Sequence, residues 1–554
     1  MKKIIKSWPI LLIIAIAALL RLVLLDKFPF GLNADEAAIG YNAYSLLETG
    51  RDEHGTIWPL VFRSFDDYKP PLYFYLVMPL VKLIGLNTWA IRLPSALLGI
   101  FSVWLIYAIT KEIFGKKSKI PLLSSLILAL SPWHLHFSRG GWEVNTGATF
   151  LLLGLWAFFK SKKNSKFFIL SAISFILSLY AYHSMRIIIP LLGLFLLVCN
   201  RSFFKRTFSQ AKPKKHLLIS LVLGFLLTLP LIGQMLSPEG QSRFSGVSVF
   251  ADEGPLWEAL ELRAEHSNVN SLGVRLLHNK YLTYFIRFSK NYLSHYSPRF
   301  LFITGDEIAR SKVPGIGQSL IVLAPFFFLG LLSLLKLDNK AKKFTLFWFV
   351  IAPLAAALTF QSPHALRAQN MVFPFVITIA LGVSSFFEFL KKNKLIRNII
   401  AGILLLLFSY NASQYLHHYY IHYPREYPYA WQYGFDQITD FVKENGDQYD
   451  QIIMSNRYDQ PYILFAFYLK YPPQKFQEEI KLVPRDKFGF STVNNFGKYT
   501  FKKINWDEDS QVKNALIIST EEGVPDSATI HIIDDPAGNH MYRFAESNYD
   551  SIGN

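Results

Sequence analysis

The chain has 554 residues, of which 51% are hydrophobic and 16% aromatic, and its formal net charge is +17. Apolar runs of about 17–22 residues recur along it, the length needed to cross roughly 30 Å of hydrocarbon, which excludes an ordinary soluble globular protein. The positive charge lies mainly in short clusters between those runs, as cytoplasmic anchors do, so it does not indicate nucleic-acid binding.

The N-terminus reads Met1-Lys2-Lys3 and then an apolar stretch from Trp8 to Leu25. It lacks a small-residue cleavage site and is long enough to span, so it is expected to be a retained first helix with its basic end inside. Apolar spans are expected at about 8–25, 93–114, 119–137, 144–160, 167–182, 185–200, 216–236, 315–336, 344–361, 370–390 and 396–412. The loops between them alternate in character. Lysine-rich ones fall at Lys116 to Lys119, Lys160 to Lys166, Arg201 to Lys215, Lys336 to Lys343 and Lys391 to Arg397. Placing these in the cytoplasm leaves the N-terminus inside and everything beyond about residue 413 outside. The segment 71–86 would invert that order if it crossed, so it is expected to be an interfacial or re-entrant helix, started by Pro70-Pro71. Arg21 falls near the outer end of the first span, where its side chain is expected to snorkel.

The fold class predicted is therefore an all-α polytopic membrane protein of about eleven transmembrane helices plus interfacial ones. Residues 1–424 form the membrane domain, with outer loops at 26–92 and 237–314. From 425 to 554 the composition turns polar. Tyr429 to Glu444 has helical spacing, and Gln451–Met454, Ala515–Ser519 and Thr529–Ile533 look like strands, predicting a small extracytoplasmic α/β domain. Cys199 is the only cysteine, which rules out an internal disulfide and a cysteine metal site. His417, His418 and His422 have a metal-like look, but they interleave with Tyr415, Tyr419, Tyr420 and Tyr423 and read better as an aromatic belt.

The expected topology gathers charged groups on the outer face. Asp35 and Glu36 follow the first span, and Tyr68-Lys69 precede Pro70-Pro71. Arg139 and Glu143 fill the next outer loop, followed by His183 and Arg186, then Arg243, then His364 and Arg367. Each has a plainer explanation: Asp35-Glu36 as a helix cap, Lys69 as an anchor, Glu143 paired with Arg139, the others as helix ends. Together they suit transfer from a lipid-linked phosphate. A carboxylate accepts the proton of an attacking hydroxyl or amine, and cations neutralise a phosphate that leaves. No nucleotide-binding glycine loop is evident, so a sugar donor on this face is expected to be a polyprenyl phosphate reached from the bilayer. Asp35, Glu36 and Glu143 also offer hard oxygens for a divalent metal ion, the one cofactor considered.

The order of the pieces is more specific. The string Asn33-Ala34-Asp35-Glu36, Tyr41, Gly50 and Gly55, then Tyr68-Lys69-Pro70-Pro71-Leu72-Tyr73, then Ile91-Arg92-Leu93-Pro94-Ser95 resembles the GT-C glycosyltransferases. Within them it is most similar to the protein O-mannosyltransferases and the aminoarabinose transferases of lipid A. The resemblance implies a multi-span fold, a polyprenyl-phosphate sugar donor and usually inversion at the anomeric carbon. It implies Asp35 as catalytic base, Glu36 as its acidic neighbour and Lys69 on the lipid phosphate. The second acidic position is commonly Asp, and this chain offers Glu143 there. The Trp-Trp-Asp signature of oligosaccharyltransferases is absent, which argues against transfer of a preassembled oligosaccharide to asparagine. Expected partners are the lipid-linked donor, membrane lipids, and an acceptor that is a protein, a lipid or an envelope polymer. Two other classes fit more loosely: a flippase of lipid-linked sugars, and a binding protein whose C-terminal domain holds wall polymers.

Overall fold

The computed structural model describes residues 8–547 apart from 238–239, 241–245, 247, 337–338, 485–490 and 521–522. Arg243 lies outside the described residues. The chain forms two compact units. One comprises residues up to 21, 97–138 and 143–416, and the other comprises 22–96, 139–142 and 417–554.

The first unit is helical. Four helices are long and apolar enough to cross a membrane, at Thr88–Phe114, Ala211–Leu236, Gln369–Lys392 and Lys394–Glu426. Two bent pairs, Ile120–Ala129 with Pro132–Arg139 (53°) and Met185–Cys199 with Arg201–Ser209 (76°), raise the number to six among the described residues. Shorter apolar helices at Trp8–Leu22, Phe167–Leu179 and Ile321–Lys336 fall at three more of the eleven expected spans. Some apolar runs continue through helix breaks. Pro132 has no N–H to give and disfavours helix in Ser131 before it, so one run becomes two short helices. The run 344–361 likewise divides into Lys340–Ile351 and Leu354–Ala357 around Pro353.

Arg21 differs from its expectation as well. It is fully buried and does not snorkel. Its guanidinium donates to the carbonyls of Ala129 (3.1 Å) and Leu128 (3.4 Å), at the end of the Ile120–Ala129 helix, and lies 2.9 Å from Nδ1 of His134. A cation there adds a donor to carbonyls at the helix end and opposes the negative end of the helix dipole. Elsewhere small residues let helices touch backbone to backbone. A Cβ on Gly330 would come within 1.9 Å of the Thr378 carbonyl, and one on Gly382 within 1.8 Å of that of Phe326. The helices Ala324–Lys336 and Val372–Phe389 therefore pack through their glycines.

The second unit is built on a six-stranded mixed sheet. Its strands are β3 (Gln451–Ser455), β4 (Asn495–Phe496), β5 (Tyr499–Lys502), β6 (Ala515–Thr520), β7 (Thr529–Asp534) and β8 (His540–Glu546), following a separate hairpin of β1 (Phe62–Ser64) and β2 (Asp67–Lys69). The order is β4-β5-β3-β6-β8-β7, with β3 parallel to both neighbours and the other pairs antiparallel. The central strands Ile452-Ile453-Met454 and Leu516-Ile517-Ile518 are buried on both faces, as parallel strands covered by helices must be. Helix Phe435–Asn445 overlaps the expected 429–444, starting six residues later and ending one residue later.

One core joins this sheet to residues 32–91. Ala37, Ala38, Tyr41 and Leu46 of helix Ala34–Thr49 share it with Phe465, Phe476 and Phe496. Gly40 lets the ring of Phe467 approach, since a Cβ there would meet it at 2.7 Å. The apolar helix Leu72–Ile84 belongs to the same core through Tyr73, Phe74 and Val77. Its 13 residues reach about 20 Å, short of a bilayer crossing.

Candidate active site

Helix Ala34–Thr49 begins with a capping box. The Asn33 side chain accepts from the Glu36 N–H (3.1 Å), and a Glu36 oxygen accepts from the Asn33 N–H (3.4 Å). Gln432 accepts from the Ala34 N–H (2.6 Å), satisfying another first-turn donor. Two caps fix the phase of the first turn, and hence the direction in which Asp35 and Glu36 leave it.

The two neighbouring acids have different surroundings. Glu36 is fully buried. Arg92 reaches it with Nε (2.8 Å) and Nη2 (2.9 Å), and the Gly141 N–H donates to it at 2.7 Å. Arg92 spends its other donors on the carbonyls of Leu25 (3.1 Å), Pro29 (2.8 Å) and Gly31 (2.5 Å). Glu36 is thereby the anchor of loops 25–31 and 139–142. Gly141 suits that contact, because a Cβ there would lie 2.7 Å from Ile91.

The Asp35 side chain keeps about a quarter of its surface exposed and forms an ion pair with the Lys69 ammonium. Lys69 is delivered by the hairpin, in which Phe62 pairs with Lys69 and Phe62 stacks on Phe74 with ring centres 4.0 Å apart. The turn places Phe65 (φ 57°) and Asp66 (φ 62°) in the left-handed region, the geometry a two-residue hairpin needs. Arg63 ties Asp66 down at 2.5 Å. The Lys69 side chain is nearly buried, with its ammonium 5.2 Å from the Phe65 ring centre. Tyr68 lies beside it in the same strand.

Arg139, expected on a phosphate, is engaged by groups of the protein. The guanidinium is buried and donates to the carbonyls of Val23 (2.9 Å), Leu24 (3.0 Å) and Phe28 (3.0 Å) and to Tyr419 Oη (3.2 Å). It also lies over the rings of Tyr419 and Tyr420, at 5.5 and 5.6 Å. Arg139 therefore holds the 23–28 loop, and Tyr419 and Tyr420 of the aromatic belt serve that cation.

Other expected site residues lie in the first unit. Glu143 opens helix Glu143–Ser161 and is buried. Arg186 donates to Gln234 (3.1 Å), and His183 is half-buried nearby in sequence. His364 and Arg367 belong to a short loop tethered by Asp306, a residue the sequence reading did not single out. Asp306 accepts from the N–H groups of Ala365 (2.6 Å) and Ile308 (3.0 Å), and its carboxylate lies 3.7 Å from His364 Nδ1. Burial pushes the Asp306 carboxyl up to about 6. His295 accepts the His364 N–H at 3.1 Å through Nε2, while its Nδ1 bonds the Asn291 carbonyl, and burial pushes its pKa down to about 4.

Glu53 was also missed. It exchanges hydrogen bonds with Asn42, whose amide donates at 3.0 Å while the Glu53 N–H donates back at 2.9 Å. Its other oxygen is buried with no partner among the described residues, and burial pushes its carboxyl up to about 8. Asp35, Glu36 and Glu143 were considered as oxygen donors to a divalent metal ion. No three His, Cys, Asp or Glu among the described residues are grouped to hold a metal, and Glu36 is committed to Arg92.

Residues 68–232 match a family model described as dolichyl-phosphate-mannose-protein mannosyltransferase. The "Putative mannosyltransferase YycA" of Bacillus subtilis (strain 168) is 29% identical over 217 residues, 37% of this chain and 30% of that protein. YkcB of the same organism, similarly named, is 29% identical over 145 residues, 25% of this chain and 19% of its own length. The matched part is thus under a third of either relative. Among solved structures, ArnT from Cupriavidus metallidurans bound to undecaprenyl phosphate covers 98% of both chains, with a TM-score of 0.55 and 12% identity. The archaeal oligosaccharyltransferase AglB from Archaeoglobus fulgidus, with an inhibitory peptide and a dolichol-phosphate, covers 84% of this chain and 64% of its own, with a TM-score of 0.50 and 13% identity. At such identities the likeness is one of fold.

Proposed function

We propose that this chain, a membrane protein belonging to the GT-C superfamily of glycosyltransferases, moves a sugar from a polyprenyl-phosphate carrier to an acceptor on the extracytoplasmic face. The observation that carries this reading is the Asp35–Lys69 pair, presented by a doubly capped helix start and a fixed hairpin. A partly exposed carboxylate beside a lysine, on rigid elements, is suited to act on both ends of a displacement. Asp35 accepts the proton of the acceptor hydroxyl or amine as its oxygen or nitrogen attacks the first carbon of the sugar. The carbon–oxygen bond to phosphate breaks, and polyprenyl phosphate leaves with the electron pair. Lys69 exchanges Asp35 for the phosphate as the donor arrives and stabilises the charge that grows on it. In-line displacement of this kind inverts the anomeric carbon.

Glu36, Arg92 and Arg139 act at a distance, by holding the loops from which Asp35 emerges. The lipid carrier named with ArnT supports the donor class. The test is Asp35→Asn in purified protein reconstituted with a lipid-linked sugar. Transfer is expected to fall about a hundredfold or more, and near-normal transfer would overturn the assignment. Measuring free polyprenyl phosphate in the same assay separates this reading from a flippase, which releases none.

A further inference from the structure

Three of the lysine-rich loops assigned by sequence to the cytoplasm converge within the first unit. They enclose a polar pocket of about 400 Å³, lined by Lys162 and Lys163, by Asn200, Ser202 and Arg206, and by Lys340. We propose that this pocket binds the phosphate group of an anionic phospholipid of the cytoplasmic leaflet. The proposal is independent of the sugar-transfer reading.

The fold builds the pocket in three steps. The chain turns by 76° between helices Met185–Cys199 and Arg201–Ser209, with Asn200 at the corner. The Asn200 amide donates to the Leu196 carbonyl (2.8 Å), which leaves its oxygen to accept from the Lys162 ammonium (3.0 Å). In helix Arg201–Ser209, Phe203 and Phe204 pack on Phe158 and Phe168, with ring centres 5.8–6.5 Å apart. Ser202 and Arg206, four residues apart, share a different face of that helix and line the pocket. Lys340, at the start of helix Lys340–Ile351, completes the lining.

The charge there is unbalanced. Among the described residues the lining contains no carboxylate. Glu112 is taken by Lys160 (2.7 Å) and Lys163 (2.5 Å) and is not part of the lining. The side chains of Arg206 and Lys340 have no hydrogen-bond partner among the described residues. Burial, and then the charge of Lys340, hold the Lys162 ammonium below its usual range, so an anion between these cations relieves both costs. A phosphate offers several acceptor oxygens to such converging donors. Exposed Leu194, Leu197 and Val198 precede the corner and exposed Phe208 follows it, giving acyl chains an apolar surface beside the charged one. Basic pockets between helices on the cytoplasmic side are suited to anionic headgroups.

The test is native mass spectrometry of the full chain in detergent, titrated with phosphatidylglycerol and, separately, with phosphatidylcholine. The protein is expected to retain phosphatidylglycerol selectively, and Lys162→Gln with Arg206→Gln to weaken that binding about tenfold or more. Lys162→Arg, which keeps the charge, is expected to retain it. Equal binding of the two lipids, or adducts unchanged in the double variant, would overturn the proposal. Displacement of phosphatidylglycerol by an equal concentration of inorganic phosphate would overturn the lipid assignment. Should the double variant not fold, Arg206→Gln alone, a change at an exposed side chain, gives the same reading at smaller amplitude.

Discussion

Arg92 grips Glu36 through two hydrogen bonds of 2.8 and 2.9 Å at a site where both side chains are fully buried. Asp35, one residue earlier, faces partly outward and meets a lysine from a separate hairpin. A first helical turn directs consecutive side chains about 100° apart, so one acid of the pair anchors loops while the other stays accessible.

Removing Arg92 is expected to damage the fold more than removing the pair. Arg92→Met leaves a buried carboxylate unpaired and is expected to cost about 3–5 kcal/mol. Adding Glu36→Gln removes that orphaned charge and should restore much of the loss. Thermal unfolding of the two detergent-solubilised variants measures the difference. Equal losses in the single and double variants would show that Glu36 carries no charge penalty.

Lys69 is expected to act on the donor and not on the fold. Lys69→Met should lower kcat/KM for the lipid-linked sugar on the order of a hundredfold, the usual cost of losing one stabiliser of developing charge. Its melting temperature should stay close to that of the unaltered chain. Lys69→Arg is expected to recover activity only in part, because a planar guanidinium does not occupy the site of a compact ammonium. Steady-state kinetics with varied donor concentration separates these outcomes.

The parts of this site that read clearly in the sequence are those carried by local pattern. Asp35-Glu36 reads as a helix cap, and Pro70-Pro71 reads as the start of a helix. The strands β3, β6 and β7 show as short β-branched runs at their observed places. What did not read clearly depends on distant partners. Arg92 lies 56 residues from Glu36, and Arg139 finds its carbonyl acceptors more than 110 residues upstream. A buried arginine and a phosphate-binding arginine look alike until the acceptors are seen. Apolar length likewise records what a segment buries but not where Pro132 or Asn200 turns the chain.

Glu53 gives the segment that follows helix Ala34–Thr49 a pH dependence whose sign follows from burial. Its carboxyl is pushed up to about 8 in the folded chain from an ordinary 4.5. Between those values the folded state holds a proton that the unfolded state has lost. This group's contribution to stability therefore declines as pH rises, by at most about 1.4 kcal/mol per pH unit. His54, pushed down to about 4 by burial, acts in the opposite direction up to about pH 6.5. The Glu53 effect is thus clearest between about pH 6.5 and 8. Glu53→Gln, which stays neutral, is expected to flatten the fall in melting temperature over that interval. An unchanged slope would show that Glu53 is ionised in the folded chain.

Asp306 should govern the order of the loop carrying His364 and Arg367. Its carboxylate is the acceptor for the Ala365 N–H at 2.6 Å and the Ile308 N–H at 3.0 Å, so it stitches two loop segments together. Asp306→Ala leaves a buried backbone donor unsatisfied, at a cost of about 1–3 kcal/mol. That cost falls on the loop before it falls on the membrane helices, because helix backbone bonds are made within each helix. Hydrogen exchange at the Ala365 amide is expected to accelerate in Asp306→Ala, while exchange in helix Val372–Phe389 stays slow. Asp306→Asn, which keeps one acceptor oxygen but no charge, should fall between the two. If Ala365 remained as protected in Asp306→Ala as in the unaltered chain, the tether would lie elsewhere, and the neighbouring His295–His364 hydrogen bond is the contact to test next.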